Sequence, residues 1–453
     1  MCLTVHSSFN RSKFVFRANF VGNPKKVAAT PHWARDADSD TVQRMKAIVL
    51  TFDCLPVSFL GCYGSQWVET PNFDRLAAES IVFDQNFSED FDPDAVTHAW
   101  WTGSYQFPRP PERHFGQIAL SDVLREAGVE TRLLIVKSNS PSIPVSGDWS
   151  GVFEVEETDR LDVDECETPF ARMVSHAADV LHELASAEGD WLLWLKSLGV
   201  SSPDIPSGTS ATHFLELDDD DATEFEWQRS RCASAVTLLD REVGRLLDVI
   251  QERVGDENLL LIVTAAQGSV RNTHGDVPSG WARLSEEIVH TPLMLRTANV
   301  DMGSRRQQLT QSVDLLPTLL EWFGWELNRV PCEGRSLLPI VRGVESGDRD
   351  YVCLGDGVRA RAIRTREWHL IKSADESGSA DARPPKLFVK PDDIWEIHDV
   401  AAQSPAEAKA LESTLEEFVA NARNSFPLVV PRLTQTADNR TAQAARPIDG
   451  NFR

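Results

Sequence analysis

A single carboxylate stands at the end of the first strongly apolar run in this sequence. Residues 47–52 are apolar and rich in β-branched side chains, a pattern typical of a strand buried on both faces of a parallel sheet, and Asp53 follows directly. A carboxylate there is costly to desolvate unless a metal, another cation or several donors meet it. Ligands of open α/β sheets bind at the carboxyl ends of the strands, so Asp53 is predicted to belong to a site.

A second acidic group contains Asp90, Asp92 and Asp94, and His98 follows four residues after the last of them. Because aspartyl-phosphate intermediates exist, Asp94 is a candidate nucleophile and His98 a candidate base. The alternative, which we favour, is a solvated acidic loop followed by a histidine at a helix surface or at the edge of the core. The four consecutive aspartates at 218–221 have the same two interpretations, a cation site with oxygen ligands or a solvated loop, and a run without spacing favours the loop.

The elements that must position these residues can be located from the apolar runs. Residues 132–136, 191–196 and 259–264 have the pattern of buried strands, and helical patterns separate them. The alternation predicts the α/β class, with a large mixed, mostly parallel sheet sandwiched by helices.

The composition of the chain argues against several classes of function. The 453 residues carry a formal net charge of -24, which opposes binding to nucleic acid or to anionic membranes. The seven cysteines are odd in number and widely spaced, so neither a disulfide framework nor a zinc site is expected. No apolar run reaches the roughly 20 residues of a membrane span, and basic or polar residues interrupt the apolar clusters near the beginning. We therefore expect no signal peptide and a cytoplasmic location.

Several motifs resemble the sulfatase family of the alkaline phosphatase superfamily. Residues 60–64 read LGCYG and residues 70–77 read TPNFDRLA, which match that family nearly letter for letter. The later strings LLDREVGRLLDVI, HTPLMLR and VDLLPTLL match it as well. The resemblance implies a sulfatase-like α/β domain over 46–345 and a small antiparallel sheet with a helix over 346–430, in which 361–371 and 394–400 would be strands. Residues 1–45 are then an arm and residues 431–453 a disordered tail.

The chemical positions of the family do not match. Active sulfatases have two successive aspartates, a Cys or Ser that is converted to formylglycine with an Arg four residues later, a Pro-His histidine, a late pair written Asp-His or Asp-Asn, and a lysine. When positions are counted along the motifs, Asp53 corresponds to the first aspartate. The other positions carry different residues: Cys54 at the second aspartate, Pro93 at the nucleophile, Ser201 at the histidine, Ala266 and Gln267 at the late pair, and Trp281 at the lysine. Gln267 keeps an amide that could ligate weakly, and His274 with Gly275 resembles a later His-Gly of the family.

The retained packing motifs and the lost chemical ones lead to an expectation of a catalytically inactive pseudosulfatase with a binding or partner role. No cofactor is expected, and Trp281 is expected to fill the old cavity near Ala266 and Ser201. The alternative is a sulfuric or phosphoric ester hydrolase, using calcium, with a site rebuilt around Asp53, Asp94, Gln267 and His274. A third interpretation is a structural subunit that pairs with an active homologue.

Overall fold

The computed structural model describes residues 44–108, 118–137, 147–157, 165–200, 224–268, 280–298, 300–344, 348–357, 359–373 and 384–433. The predicted arm of 1–45 and tail of 431–453 lie almost wholly outside these residues. The elements of the large sheet are β1 (Lys46–Cys54), β2 (Ile81–Phe87), β3 (Glu130–Lys137), β4 (Gly151–Glu156), β5 (Trp191–Gly199), β6 (Leu259–Gln267), β7 (Leu293–Thr297) and β8 (Arg305–Gln311).

These strands form one sheet in the order β4-β3-β5-β1-β6-β7-β2-β8. Only β7 is antiparallel to its neighbours, whereas the other adjacent pairs are parallel. The predicted mixed, mostly parallel sheet is therefore confirmed, and β1, which bears Asp53, lies between β5 and β6 near its centre.

Helices cover both faces of the sheet. Side chains of β1 alternate between two cores: Ile48, Leu50 and Phe52 pack on one face, and Ala47 and Val49 on the other. The helices are α1 (Pro71–Ala78), α2 (Pro93–Thr102), α3 (Leu120–Glu126), α4 (Pro169–Ser186), α5 (Glu224–Arg253), α6 (Glu286–Val289), α7 (Leu315–Trp322), α8 (Leu338–Val341) and α9 (Pro405–Asn424). Helices α1, α4 and α5 cover the first face, while α2, α3, α7 and α8 cover the second. None of the described helices is long and apolar enough to cross a membrane.

Two of the motifs found in the sequence hold the first face together by contacting each other. The Asp240 carboxylate on α5 accepts hydrogen bonds from the backbone N–H groups of Asn72 and Phe73, at 3.0 and 2.8 Å, and so satisfies donors at the start of α1. A Cβ on Gly244 would lie 2.4 Å from the Asn72 side chain, so the close approach requires glycine there. The TPNFDRLA and LLDREVGRLLDVI strings therefore encode one packing contact.

The C-terminal part forms a second, antiparallel sheet of four strands, as predicted. Its strands are β9 (Tyr351–Gly355), β10 (Ala360–Thr365), β11 (Trp368–Ser373) and β12 (Lys386–Val389), in the order β12-β11-β10-β9. Helix α9 packs its Leu415 and Phe418 into the core beneath this sheet.

The predicted strand at 394–400 is wrong, because the strand that pairs with β11 is β12 at 386–389. Residues 394–400 form a loop instead. The Asp393 carboxylate accepts hydrogen bonds from the N–H groups of Ile397 and His398, and Glu396 adopts a left-handed φ of 57°, so neither conformation continues a strand.

Candidate functional site

The register of the central strands places three residues on one face at the carboxyl end of β1. Thr51 of β1 pairs with Lys196 of β5 and with Thr264 of β6. Because side chains alternate along a strand, Asp53 lies on the same face as Lys196 and Ala266. The predicted site residue Asp53 is therefore at the sheet edge where α/β proteins bind ligands, and it has a lysine as its neighbour.

Asp53 and Lys196 form a buried ion pair. The Lys196 ammonium donates to Asp53 Oδ1 at 2.5 Å, and the two side chains are only 6% and 12% exposed. Burial raises the pKa of Asp53, the Lys196 ammonium opposes this rise, and the charge of Asp94 adds to it. Of the three partners that the sequence left open for Asp53, namely a metal, another cation or several donors, the structure shows a cation, the Lys196 ammonium of the same chain.

Successive aspartates build the entry to α2. Asp90 Oδ1 accepts the N–H of Asp92 at 2.9 Å, and Asp92 Oδ1 accepts the N–H of Asp94 at 3.1 Å, so Asp92 is the N-cap and Pro93 the first helical residue. Asp92 is exposed, whereas Asp90 is buried. The solvated-loop interpretation therefore fails for Asp90, whose pKa burial raises to about 8.

A further buried carboxylate in this segment, Glu89, was missed by the sequence analysis. It is fully buried, and neither carboxylate oxygen has a hydrogen-bonding partner of good geometry among the described residues. Burial, together with the charges of Asp90 and Glu333, raises the pKa of Glu89 well above its usual value. Burial therefore favours the protonated form of Glu89.

Hydroxyl groups farther along α2 bond to the backbone of the helix. Thr97, at the position where the family has arginine, donates from Oγ1 to the Pro93 carbonyl at 2.8 Å, and Thr102 donates to the His98 carbonyl at 2.8 Å. His98 is half-buried, with its Nδ1 3.4 Å from Thr102 Oγ1. His98 therefore lies on a helix at the edge of the core, which is one of the positions that the sequence predicted for it.

An aromatic cluster lies under the ion pair, on the same face of the sheet. Trp101 is 5.6 Å from Trp149 and 6.0 Å from Trp194 between ring centroids, and Trp100 lies 6.3 Å from Trp194. The Trp194 Nε1–H donates to Thr51 Oγ1, two residues before Asp53 on β1. All four indoles are buried, and this large apolar mass helps to explain the desolvation of Asp53.

The remaining positions at this edge provide few ligands for a metal. Cys54 is buried in the core of the opposite face, and Ala266 has no ligating atom. Gln267 is buried, and its Oε1 has no hydrogen-bonding partner among the described residues. A hard dication such as Ca²⁺ takes six to eight oxygen ligands, usually with several carboxylates. With Asp53 already paired to an ammonium, the described residues do not fit such an ion.

Three predictions lie outside the described residues. Ser201, His274 and the aspartates at 218–221 are among the residues that the structure leaves undescribed. The backbone of Trp281 is in a 3-10 turn at Gly280–Leu284, but its side chain is not described, so filling of the cavity by its indole stays a prediction.

A second group of potential metal ligands lies between α6 and the small sheet. Oxygen and nitrogen atoms of Glu286, His369 and Glu396 lie within 4.8 Å of one another, and all three residues are buried. The Lys390 ammonium lies between the two carboxylates, 2.9 Å from Glu286 and 3.0 Å from Glu396. Burial raises the pKa of Glu286, but Arg364 and Lys390 outweigh it and lower the pKa to about 2. Here too the ammonium of a lysine occupies the place that a metal ion would take.

Comparisons with known proteins agree with this fold. A family model described as Sulfatase matches residues 46–325. The chain is 30% identical over 123 residues to the multifunctional alkaline phosphatase superfamily protein PehA of Trinickia caryophylli, covering 27% of this chain and 23% of PehA. It is 28% identical over 141 residues to N-acetylglucosamine-6-sulfatase of Homo sapiens, covering 31% of this chain and 24% of that protein. The chain thus matches about a quarter of the length of these relatives.

Among solved structures, the phosphonate monoester hydrolase of Agrobacterium radiobacter superimposes with a TM-score of 0.65 at 16% identity, covering 84% of this chain and 96% of that chain. The structure of Ps i-CgsB superimposes with a TM-score of 0.65 at 18% identity, covering 89% and 97%. At these identities the likeness concerns the fold.

Proposed function

Because this chain belongs to the sulfatase family, we propose that it uses the sulfatase scaffold for binding or for association with another protein, and not for ester hydrolysis. The observation that carries the proposal is the 2.5 Å ion pair between the Lys196 ammonium and Asp53 Oδ1. It lies on the carboxylate that the family uses as its first metal ligand.

The ion pair and a divalent metal are competing partners of the same carboxylate. Ca²⁺ binds carboxylate oxygens at roughly 2.3–2.6 Å, about the distance at which the ammonium of Lys196 lies. A dication at Asp53 would therefore contact a fixed positive charge in a buried environment, where charge repulsion is weakly screened. Without the metal, the Lewis acid that polarises the ester in this family is missing.

The start of α2 also lacks the nucleophile that the sulfatase family uses. Pro93 has no nucleophilic atom, and the hydroxyl of Thr97, one turn later, is held by the Pro93 carbonyl at 2.8 Å. Formylglycine requires a Cys or Ser, and the stretch 89–103 has neither.

The second candidate function is an ester hydrolase with a rebuilt site, in which Asp94 is the nucleophile and Asp53, Gln267 and His274 assist. The charge of Asp94 raises the pKa of Asp53, so the two carboxylates interact, and this observation favours the candidate. Against it, two acidic groups beside one lysine repel the anionic sulfate or phosphate ester that Asp94 would attack.

Elemental analysis and an ester-hydrolysis assay on the purified full chain separate the two candidates. After dialysis against calcium and then against buffer, we expect no stoichiometric divalent ion and no hydrolysis of 4-nitrophenyl sulfate or 4-nitrophenyl phosphate above the buffer rate. The variants Asp94→Asn and Asp53→Asn serve as matched controls. About one ion per chain that is lost in Asp53→Asn, together with hydrolysis that is lost in Asp94→Asn, would establish the hydrolase and overturn the proposal.

A further inference from the structure

The loop that follows β12 exposes three large apolar side chains. Ile394 and Trp395 are each 57% exposed and Ile397 is 70% exposed. We call these three residues the apolar loop. Together they present roughly 350–400 Å² of apolar surface, similar to the largest patch on an ordinary monomer, and such patches are often functional.

The conformation of the loop is fixed by buried partners on its inner side. The Asp393 carboxylate accepts the N–H groups of Ile397 and His398 at 3.0 and 2.9 Å. Glu396 points inward, where its carboxylate pairs with His369 Nδ1 at 2.6 Å and with the Lys390 ammonium at 3.0 Å.

This anchoring costs backbone strain, because Glu396 has a φ of 57°, which is unfavourable for a residue with a side chain. The neighbours of Glu396 on both sides, Trp395 and Ile397, are turned outward as a result. The apolar loop therefore has a fixed conformation that exposes its apolar side chains.

The apolar loop has an acidic residue on each side of it in the sequence. Asp392 and Asp399 flank it and are exposed, and the whole chain carries a net charge of -24. A second copy of the same loop would bring like charges together, so self-association through this surface is disfavoured. A segment that combines apolar side chains with positive charge is complementary to it.

One stretch of the same chain has this chemistry. Residues 9–21 read FNRSKFVFRANFV, with four phenylalanines, three basic residues and no acidic residue. Acidic residues are absent from the first 35 positions, in contrast to the strong acidic excess of the remainder. The stretch thus offers both aromatic anchors and charges opposite to those around the apolar loop.

The connection between them is long enough. Residues 22–43 separate this stretch from Arg44, the first described residue, and 22 residues span up to about 70 Å when extended. A domain of this size has a radius of gyration of only about 20 Å. Because the two partners are tethered, their effective concentration favours binding within one chain over binding between chains.

We propose that residues 9–21 bind the apolar loop of the same chain, with phenylalanine side chains packing on Trp395 and Ile397 and basic residues facing Asp392 and Asp399. Binding covers an apolar surface that is otherwise exposed to water. The interaction is independent of whether the protein hydrolyses esters.

Limited trypsin digestion of the 453-residue chain tests this interaction. Cleavage after Lys13 and Arg17, within the bound stretch, is measured by mass spectrometry relative to cleavage after Lys26 and Arg35, outside it. We expect the ratio of the two rates to rise at least tenfold in the variant Trp395→Ser/Ile397→Ser, and also to rise in wild type when NaCl is increased from 50 mM to 500 mM, because salt screens the charge pairs.

The matched control is Met302→Ser/Val344→Ser, which removes two equally exposed apolar side chains elsewhere, at 61% and 58% exposure. It should leave the wild-type ratio unchanged. Circular dichroism of each variant confirms that the fold is retained. Equal ratios in wild type and in the Trp395→Ser/Ile397→Ser variant would overturn the proposal. Protection that is lost on dilution from 50 µM to 0.5 µM, with a dimer mass by light scattering, would instead assign the stretch to a second copy and also overturn it.

Discussion

Replacing Lys196 by methionine should destabilise the protein strongly at alkaline pH and weakly at acidic pH. Methionine keeps most of the length of the side chain and removes its charge, so the Asp53 carboxylate loses the partner that lies 2.5 Å away. Both side chains are almost fully buried, at 6% and 12% exposure, and water therefore cannot replace the ammonium. The variant leaves a buried carboxylate that must either stay charged without a partner or take up a proton.

The magnitude follows from these two alternatives. Removal of one partner from a buried ion pair costs about 3–5 kcal/mol when the other charge is left uncompensated. Lys196 opposes the burial that raises the pKa of Asp53, so its loss raises this pKa further. A carboxyl whose pKa is higher in the folded than in the unfolded state stabilises the fold least at high pH, by about 1.4 kcal/mol for each pH unit between the two pKa values. The cost should therefore be about 3–5 kcal/mol at pH 8 and clearly smaller at pH 5.5, where the carboxyl can take up a proton.

Urea unfolding at both pH values measures this cost. The double variant Asp53→Asn/Lys196→Met removes both charges and should recover most of the loss at pH 8. The matched control is Lys46→Met, which removes a lysine from the other end of β1, where the ammonium donates to the Val254 carbonyl at 3.2 Å. A cost for Lys196→Met that is the same at both pH values, or a double variant no more stable than the single one, would refute the role of Lys196 as the neutralising cation of Asp53.

Two other predictions concern buried charged groups, and a third concerns two positions at which the residues of the sulfatase family are missing. Asp90→Asn should reduce the pH dependence of the unfolding free energy: the raised pKa of about 8 means that the folded state holds a proton that the unfolded state has lost, so between pH 5 and pH 7 wild type should lose roughly 2–3 kcal/mol more than the variant in urea titrations, and an equal loss in both would contradict this. Arg349→Met should cost about 3–5 kcal/mol in urea unfolding at pH 7, because the guanidinium contacts both oxygens of the buried Asp314 carboxylate at 2.7 and 2.8 Å, and a small cost would show that this pair is dispensable. The single changes Trp281→Lys and Ala266→Asp should give no hydrolysis of 4-nitrophenyl sulfate, because nucleophile and metal must act together, and a measurable rate in either variant would contradict this.

The fold could be predicted because its signals are local. Apolar runs such as 47–52 and 259–264 are long enough to be buried strands, and the motifs between them encode specific contacts such as that of Asp240 with Asn72. The failure at 394–400 has a physical cause. Its apolar residues resemble a strand, but the inward ion pairs of Glu396 and the backbone bonds of Asp393 determine the conformation, and these depend on partners distant in sequence.

The site was predicted in part. The position of Asp53 indicated that a metal, another cation or several donors must meet it, but which of these does so depends on the register between β1 and β5, which the sequence alone does not provide. A signal was present nevertheless. Lys196 interrupts an otherwise apolar buried strand, and lysine is almost never fully buried unless it is paired.

Two groups of buried carboxylates in the described part of the chain are paired with a lysine. Lys196 meets Asp53 in the large sheet, and Lys390 meets Glu286 and Glu396 between α6 and the small sheet. An ammonium on a side chain carries one charge and donates hydrogen bonds, whereas a divalent ion carries two and accepts electron pairs from its ligands. The lysine therefore stabilises the carboxylate and the packing around it, but it cannot bind and polarise an ester oxygen in the way that a metal does. This chain retains the sulfatase packing motifs and has a tethered cation at Asp53. Both features suit a protein that uses the scaffold for its shape and its surface.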